Sequence, residues 1–372
     1  MKKFDAVLIA GSPAKYPDLR YATGLFSFDP LVFLRTRQKQ YLIVSPLDFG
    51  HVRRTVKNTV VLSFSDFPAA KNSKTPFCDR IIGLLSKKNI RAVAVPSYFP
   101  VGLAGQLTAN GVTVSVAEGN VFPEREIKTA REIKHITHAQ QAALKAMDAA
   151  LAMIAGARIA RDRSLKIGSK PLTSEAVRGR IDRTARDFDC VCCGTIVAGG
   201  RQAVNPHETG WGTLKADEPI VIDIFPQHVA SGYWGDLSRT VVRGTPSDEA
   251  KKMYAAVGDA QRLAISKVKA GVPAVKIHNA AVELFNARGF FTGARNGKPA
   301  GFIHSIGHGI GLEIHETPRV GPVETKLKEG NVITVEPGLY YHDRGAVRIE
   351  DIVLVLKNGR KIIAPYPCFF IV

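Results

Sequence analysis

The chain has 372 residues, which at roughly 150 residues per domain sets an expectation of two domains, and its 45% hydrophobic and 23% charged content excludes a disordered or fibrous protein. No apolar stretch reaches the ~18–20 residues of a membrane helix, the uncharged run from Cys190 to Gly200 being far too short. Lys and Arg outnumber Asp and Glu by 51 to 33, a net charge of +18 and a pI near 9.8, yet the basic residues are dispersed and no nucleic-acid motif accompanies them, which disfavours a nucleic-acid partner.

The start, Met1-Lys2-Lys3-Phe4-Asp5 followed by the five apolar residues Ala6 to Ala10, is too short and too interrupted for the apolar region of a signal peptide, and reads as a buried first strand. Apolar runs predict strands at 4–10, 40–45, 59–63, 91–95 and 112–117. Helical spacing predicts helices at 46–57 and 76–89, each with proline in its first turn. This alternation predicts a small α/β domain. The pattern breaks across Glu118-Gly119-Asn120-Val121-Phe122-Pro123-Glu124, which places a boundary there and gives domains of 1–120 and 121–372. A long charged helix follows, its stripe carried by Leu144, Met147, Leu151 and Ile154.

Beyond it, helices are predicted at 173–188, 247–269 and 274–288, and strands at 191–198, 219–225, 237–243, 331–335 and 347–356. Met253, Val257, Ala260, Ala264 and Val268 form one core-facing stripe. Strands so close in sequence predict hairpins, hence a largely antiparallel sheet with helices on one side and an α+β fold. Five cysteines (Cys78, Cys190, Cys192, Cys193 and Cys368) have spacings that suit neither a disulfide framework nor a zinc site. They are expected as free thiols of a reducing cytoplasm, with Cys190, Cys192 and Cys193 as buried small apolar residues.

The informative residues are acids inside apolar strands. Val221-Ile222-Asp223-Ile224-Phe225 puts a carboxylate at the centre of a strand that otherwise reads as buried, and an unpaired buried carboxylate is too costly to be incidental. Asp236 follows thirteen positions later, so an antiparallel hairpin centred between Val229 and Ala230 would set the two acids directly opposite. Facing carboxylates repel unless a proton or cation lies between them. Val332-Ile333-Thr334-Val335 likewise leads into Glu336, and Glu350, fourteen residues on, is spaced for the neighbouring strand. By alternation Arg348 shares a face with Glu350, while Val347, Ile349, Asp351 and Val353 share the other.

Between these pairs, His304-Ser-Ile-Gly-His308-Gly-Ile-Gly-Leu-Glu-Ile-His315-Glu316 brings three imidazoles together. Four carboxylates with a histidine are the ligand set of a site for two divalent cations, and its oxygen-rich character favours Mn²⁺, with Co²⁺ or Zn²⁺ as alternatives. Thr317-Pro318 excludes a zinc-protease helix, and the Gly-His-Gly-Ile-Gly run lacks the strand–turn–helix context of a dinucleotide loop.

With these motifs the chain resembles the pita-bread metallopeptidases, the M24-type family of aminopeptidase P, prolidase, methionine aminopeptidase and creatinase. The match runs from Glu124 to the C-terminus, through Asp223, Gly232-Tyr233-Trp234-Gly235-Asp236, Gly307-His308 to His315-Glu316, Thr334-Val335-Glu336-Pro337-Gly338 and Val347-Arg348-Ile349-Glu350-Asp351. The first third is similar to the N-terminal domain of the aminopeptidase P, prolidase and creatinase branch, which argues against methionine aminopeptidase. The resemblance implies a C-terminal pita-bread fold, a curved antiparallel sheet covered by helices, preceded by a smaller creatinase-like α/β domain.

Position by position, the resemblance implies that Asp236 and Glu350 bridge two metals, Asp223 binds one, and His308 with Glu336 completes the other. His207, in Val204-Asn205-Pro206-His207, resembles the substrate-pocket histidine, and His304 and His315 match positions that line the pocket. Two cations roughly 3.5–4 Å apart would acidify a bridging water, so that hydroxide attacks the peptide carbonyl. Glu336 is then the expected general base and His315 the donor to the developing oxyanion. Arg348 is open to two roles, holding a substrate carboxylate or pairing with another acid. The family's two aspartates usually stand eleven positions apart; one extra residue on each side of the hairpin would keep them opposed while lengthening the loop from Pro226 to Ser231 that bears on substrate access. The reading is a cytoplasmic, homodimeric, dimetal Xaa-Pro peptidase of aminopeptidase P or prolidase type, acting on peptides with proline second. A creatinase-branch hydrolase of a small amide or cyclic metabolite, or a non-catalytic binding module, are the alternatives.

Overall fold

Residues along 6–10, 31–34 and 41–44 alternate between two apolar environments, and this two-residue period builds the first sheet. The computed structural model describes residues 4–295 and 297–372. The chain divides into two compact units, Met1–Arg125 and Glu126–Val372.

In the first unit, β1 (Ala6–Gly11), β2 (Leu31–Thr36), β3 (Gln40–Val44), β4 (Val60–Ser63), β5 (Ala92–Val95) and β6 (Thr113–Val116) form one six-stranded sheet in the order β4-β3-β2-β1-β5-β6. Its β1–β2 and β2–β3 pairs are antiparallel, the other three parallel. Leu8, Val32, Leu34 and Ile43 face α3 (Pro76–Lys87) and α4 (Val101–Ala109), while Val7, Ile9, Phe33 and Leu42 face α1 (Pro17–Thr23) and α2 (Pro46–Thr55). Strand β2, whose four apolar residues are fully buried, has no counterpart among the sequence expectations. Its run is too short for periodicity to separate strand from helix. The other five strands and α2 and α3 lie where their patterns place them, to within two residues.

The second unit holds two helix-covered antiparallel layers. Helices α5 (Ala130–Ala155) and α6 (Ser174–Arg186) pack on a sheet of β8 (Ile196–Gly199), β9 (Ile220–Ile224) and β11 (Leu237–Val241), through Met147, Ile181, Val197, Ile222 and Leu237. Two short strands, β7 (Cys190–Cys192) and β10 (Pro226–His228), pair beside it. Helices α7 (Asp248–Lys267) and α8 (Ala274–Ala287) pack on a five-stranded sheet containing β12 (Gly307–Gly309), β13 (Glu316–Val320) and β14 (Val332–Val335). A hairpin of β15 (Gly338–Tyr341) and β16 (Gly345–Arg348) precedes its remaining strands, β17 (Asp351–Leu356) and β18 (Gly359–Ile362).

Two expected strands are each two. The run 191–198 breaks at Gly194, whose φ of 93° is left-handed, so Cys190–Cys192 and Ile196–Gly199 join different sheets. The run 347–356 breaks at Ile349 and Glu350, where the chain changes partner from β15 to β14 across Pro337, a residue with no N–H for the ladder. All five cysteines are free, but Cys193 is exposed and Cys192 only partly covered, so the expectation of three buried thiols is corrected. Among the described residues no helix is long and apolar enough to cross a membrane.

Candidate metal centre

Alternation decides which side chains reach the site. Along β9, Ile222 and Ile224 face the α5/α6 core, which turns Asp223 to the opposite side; along β14, Ile333 and Val335 face the α7/α8 core, which does the same for Thr334 and continues to Glu336. Val335 pairs with Asp351 and Gly338 with Arg348, and this unbroken register leaves Glu336 facing Glu350, as their spacing predicts.

The aspartate hairpin differs from expectation. Asp223 pairs with Ser238 and Ile224 with Leu237, and the bridge between Gln227 and Trp234 continues that register. The turn is therefore centred one residue later, between Ala230 and Ser231, closed by His228 N–H to Tyr233 O (3.0 Å) and Gly232 N–H to His228 O (2.7 Å). Asp236 stands diagonal to Asp223 on the same face rather than directly opposite it. Diagonal neighbours in a ladder remain within reach of each other's side chains.

Ligand atoms of Asp236, His308 and Glu350 lie within 4.8 Å of one another. His308 Nε2 is 3.4 Å from Glu336 Oε1 and 3.8 Å from Asp236 Oδ2. His308 Nδ1 lies 3.1 Å from the carbonyl of Gly309, which can only accept, so Nδ1 carries the proton and Nε2 offers its lone pair to the acids. Burial, then the nearby His315, hold the His308 pKa down at about 3, so the ring is neutral as a metal ligand must be.

Asp223 joins through Arg348, whose Nη2 is 2.7 Å from Asp223 Oδ2. Of the two roles open to Arg348, the structure shows the pairing with an acid. Burial works against its charge, but Tyr340, Asp223, Glu336 and Glu350 together outweigh that and raise its pKa. Arg348 also donates to Ser238 Oγ (2.9 Å), Tyr340 Oη (3.0 Å) and the carbonyl of Pro206 (3.3 Å). The last contact ties down the loop that carries His207.

Burial comes first for each acid: repulsion from Asp223 and Glu336 then adds to it at Asp236, and repulsion from Asp236, Glu336 and Asp223 at Glu350, so both carboxyls are raised well above their ordinary values, while burial pushes Glu336 up to about 7. Two buried carboxylate oxygens, Asp223 Oδ1 and Glu350 Oε1, have no hydrogen-bond partner among the described residues. Orphaned oxygens beside acids that resist ionisation are what a cation would satisfy, and a donor set of four carboxylates and one neutral imidazole fits hard divalent ions.

The remaining histidines surround this cluster. The His315 ring stands 4.3 Å from that of His308, its pKa lowered by burial and then by His207. His304 Nδ1 donates to the Ser305 carbonyl (2.7 Å), leaving Nε2 to accept from the Tyr340 hydroxyl (3.0 Å). Burial, then Arg348, bring His304 down to about 4. Sequence reasoning missed Tyr340, the link between Arg348 and His304, because a tyrosine in an apolar strand reads as core. It also missed the buried Lys128–Glu316 ion pair beside His315, whose partners are 188 positions apart.

A family model described as metallopeptidase family M24 matches residues 134–357. An Xaa-Pro dipeptidase of Pyrococcus horikoshii is 31% identical over 363 residues, which span 96% of this chain and 92% of that protein. The crystal structure of the prolidase from Pyrococcus horikoshii OT3 matches with a TM-score of 0.81 at 28% identity, covering 98% of this chain and 95% of that one. That of an X-Pro aminopeptidase from Thermotoga maritima matches with a TM-score of 0.82 at 25% identity, covering 99% and 98%.

Proposed function

Because the chain belongs to metallopeptidase family M24, we propose that it is a metal-dependent hydrolase of the Xaa-Pro peptide bond, with Xaa-Pro dipeptides as its substrates. The convergence of Asp236, His308 and Glu350, with Glu336 and Asp223 beside them, in a buried cluster carries this reading. The dipeptide preference is supported by the relative similar over almost the whole chain.

Asp223, Asp236, His308, Glu336 and Glu350 would hold two divalent cations, Mn²⁺ by the hardness of their oxygens. When bound, such ions supply Lewis acidity and make water acidic enough to act at neutral pH. The protein's own groups do the rest. Glu336 can take a proton from the attacking water and return it to the leaving nitrogen. His315, beside His308, donates to the carbonyl oxygen as negative charge develops there. His207 and His304 line the substrate side, with Arg348 holding Asp223 and the His207 loop in place.

The free thiols suit a reducing cytoplasm, and the family resemblance supports a homodimer in which residues 1–120 form the smaller domain. The test is metal content of the wild type and Asp236→Ala, with hydrolysis of an Xaa-Pro dipeptide and an Xaa-Pro tripeptide under added Mn²⁺. About two metals per chain, lost in the variant together with dipeptide cleavage, is the expected outcome. Tripeptide cleavage alone would move the assignment to the aminopeptidase type, and bound metal with neither peptide cut would sink the peptidase reading.

A further inference from the structure

The long helix α5 carries a buried glutamine that the chemistry above does not use. Gln140 is 0% exposed, and its side-chain amide makes two hydrogen bonds to one backbone residue: Nε2 donates to the carbonyl of Asp236 (2.9 Å), and Oε1 accepts the Asp236 N–H (2.7 Å). A side-chain amide thus reproduces the pairing of a neighbouring strand at the point where the ladder opens. β11 is the edge of its three-stranded sheet, and Asp236 is the residue before it begins. Beyond Asp236, the outward carbonyl of Ser238 is taken by Glu350 N–H (3.1 Å). Asp236 has no strand on that side, and Gln140 stands in for one.

Its neighbour seals the arrangement. A Cβ on Gly235 would lie 2.6 Å from the Ala139 carbonyl carbon and the Gln140 nitrogen, so the hairpin runs in backbone contact with α5 and only glycine fits. A side-chain carboxylate can be no better placed than the backbone that bears it, and the amide fixes that backbone in both directions.

We infer that Gln140 is a positioning residue for the metal centre, holding the main chain of Asp236 so that its carboxylate meets His308 and Glu350. This rests on the metal-site reading of that cluster. Partners that orient metal ligands typically contribute about 10- to 100-fold to metal affinity when removed one at a time.

The test is Mn²⁺ titration by calorimetry of the wild type, Gln140→Met, Gln140→Glu and Met147→Ala, with melting temperatures of the metal-free proteins. Gln140→Met keeps the length and removes both bonds; Gln140→Glu keeps the acceptor and loses the donor. Met147→Ala loosens the same helix through its core contacts without touching Asp236. The expected result is Mn²⁺ binding weakened about 10- to 100-fold in Gln140→Met and less in Gln140→Glu. Met147→Ala should melt several degrees lower yet bind Mn²⁺ as the wild type does. Excess Mn²⁺ should restore turnover of Gln140→Met with KM for the dipeptide unchanged. Binding within twofold of wild type in both Gln140 variants overturns the assignment, as does an equal loss in Met147→Ala, which would mean general loosening of the helix. A wild type that takes up no Mn²⁺ would instead overturn the metal-site reading itself.

Discussion

Two buried arginine–aspartate pairs flank the break at Ile349 and Glu350, one through Arg348 at the end of β16 and one through Asp351 at the start of β17. Behind the site, Arg239 Nη2 is 2.8 Å from Asp351 Oδ1; inside it, Arg348 Nη2 is 2.7 Å from Asp223 Oδ2. In the first pair each guanidinium N–H has an acceptor, namely Asp351 and the carbonyls of Ser238, Glu350, Tyr366 and Pro367, and the second oxygen of Asp351 accepts from Gln261 at 2.6 Å. In the second pair Asp223 Oδ1 is buried with no hydrogen-bond partner among the described residues. Burial and ion pairing are common to both, so neither distinguishes a clamp from a site. Unused bonding capacity does: the closed pair staples sheets together, and the open pair waits for a cation.

The largest expected effect is on the open side. Asp223→Asn keeps the shape and removes the charge, and should lower dipeptide hydrolysis per folded molecule on the order of a thousandfold. A variant that retains turnover would break the distinction at once. Next comes the closed side. Arg239→Met leaves Asp351 buried and unpaired, a loss of about 3–5 kcal/mol in urea unfolding, with kcat per folded, metal-loaded molecule unchanged. If that variant folds normally but cannot turn over, the closed pair belongs to the chemistry after all.

The smallest effect is in pH. Glu336, raised to about 7, and Asp236 and Glu350, also raised well above their ordinary values, keep protons in the metal-free fold that their unfolded counterparts have already lost. The folded state then binds more protons, so stability falls as pH rises. His304 and His308, lowered to about 4 and about 3, act oppositely but only below their ordinary value near 6.5. Above pH 6.5 the carboxyls act alone, and metal-free protein should lose stability between pH 6.5 and 8, about 1 kcal/mol of it from Glu336. Mn²⁺ should abolish the decline. A flat metal-free profile would show that the open side holds no strain for a cation to relieve.

The open side was the more legible in sequence. An acid between Ile222 and Ile224 violates the strand's own pattern, and Glu336 and Glu350 sit at matching distances from one turn, so local spacing is enough to find them. The closed side was invisible, because nothing near Arg239 or Asp351 in sequence pairs the two until the fold joins residues 112 positions apart. Gln140 was hidden for the same reason, 96 positions from the backbone it holds. The aspartate register was misjudged by two residues, and the turn centre by one, because the turn's own hydrogen bonds, rather than symmetry about the two acids, decide where a hairpin closes.

The unbroken register from Val335 opposite Asp351 to Gly338 opposite Arg348 has a consequence for how such a chain can be altered. Side chains on a strand change sides with every residue, so one amino acid added to or removed from residues 342–344 would send either the carboxylates toward α7 and α8 or the valines into the acid cluster. Two residues added there would leave both faces as they are. Length at the turns of this site is therefore counted in pairs. The thirteen positions between Asp223 and Asp236, against eleven usual in the family, obey that arithmetic: the loop is longer by an even number, and both acids still look the same way.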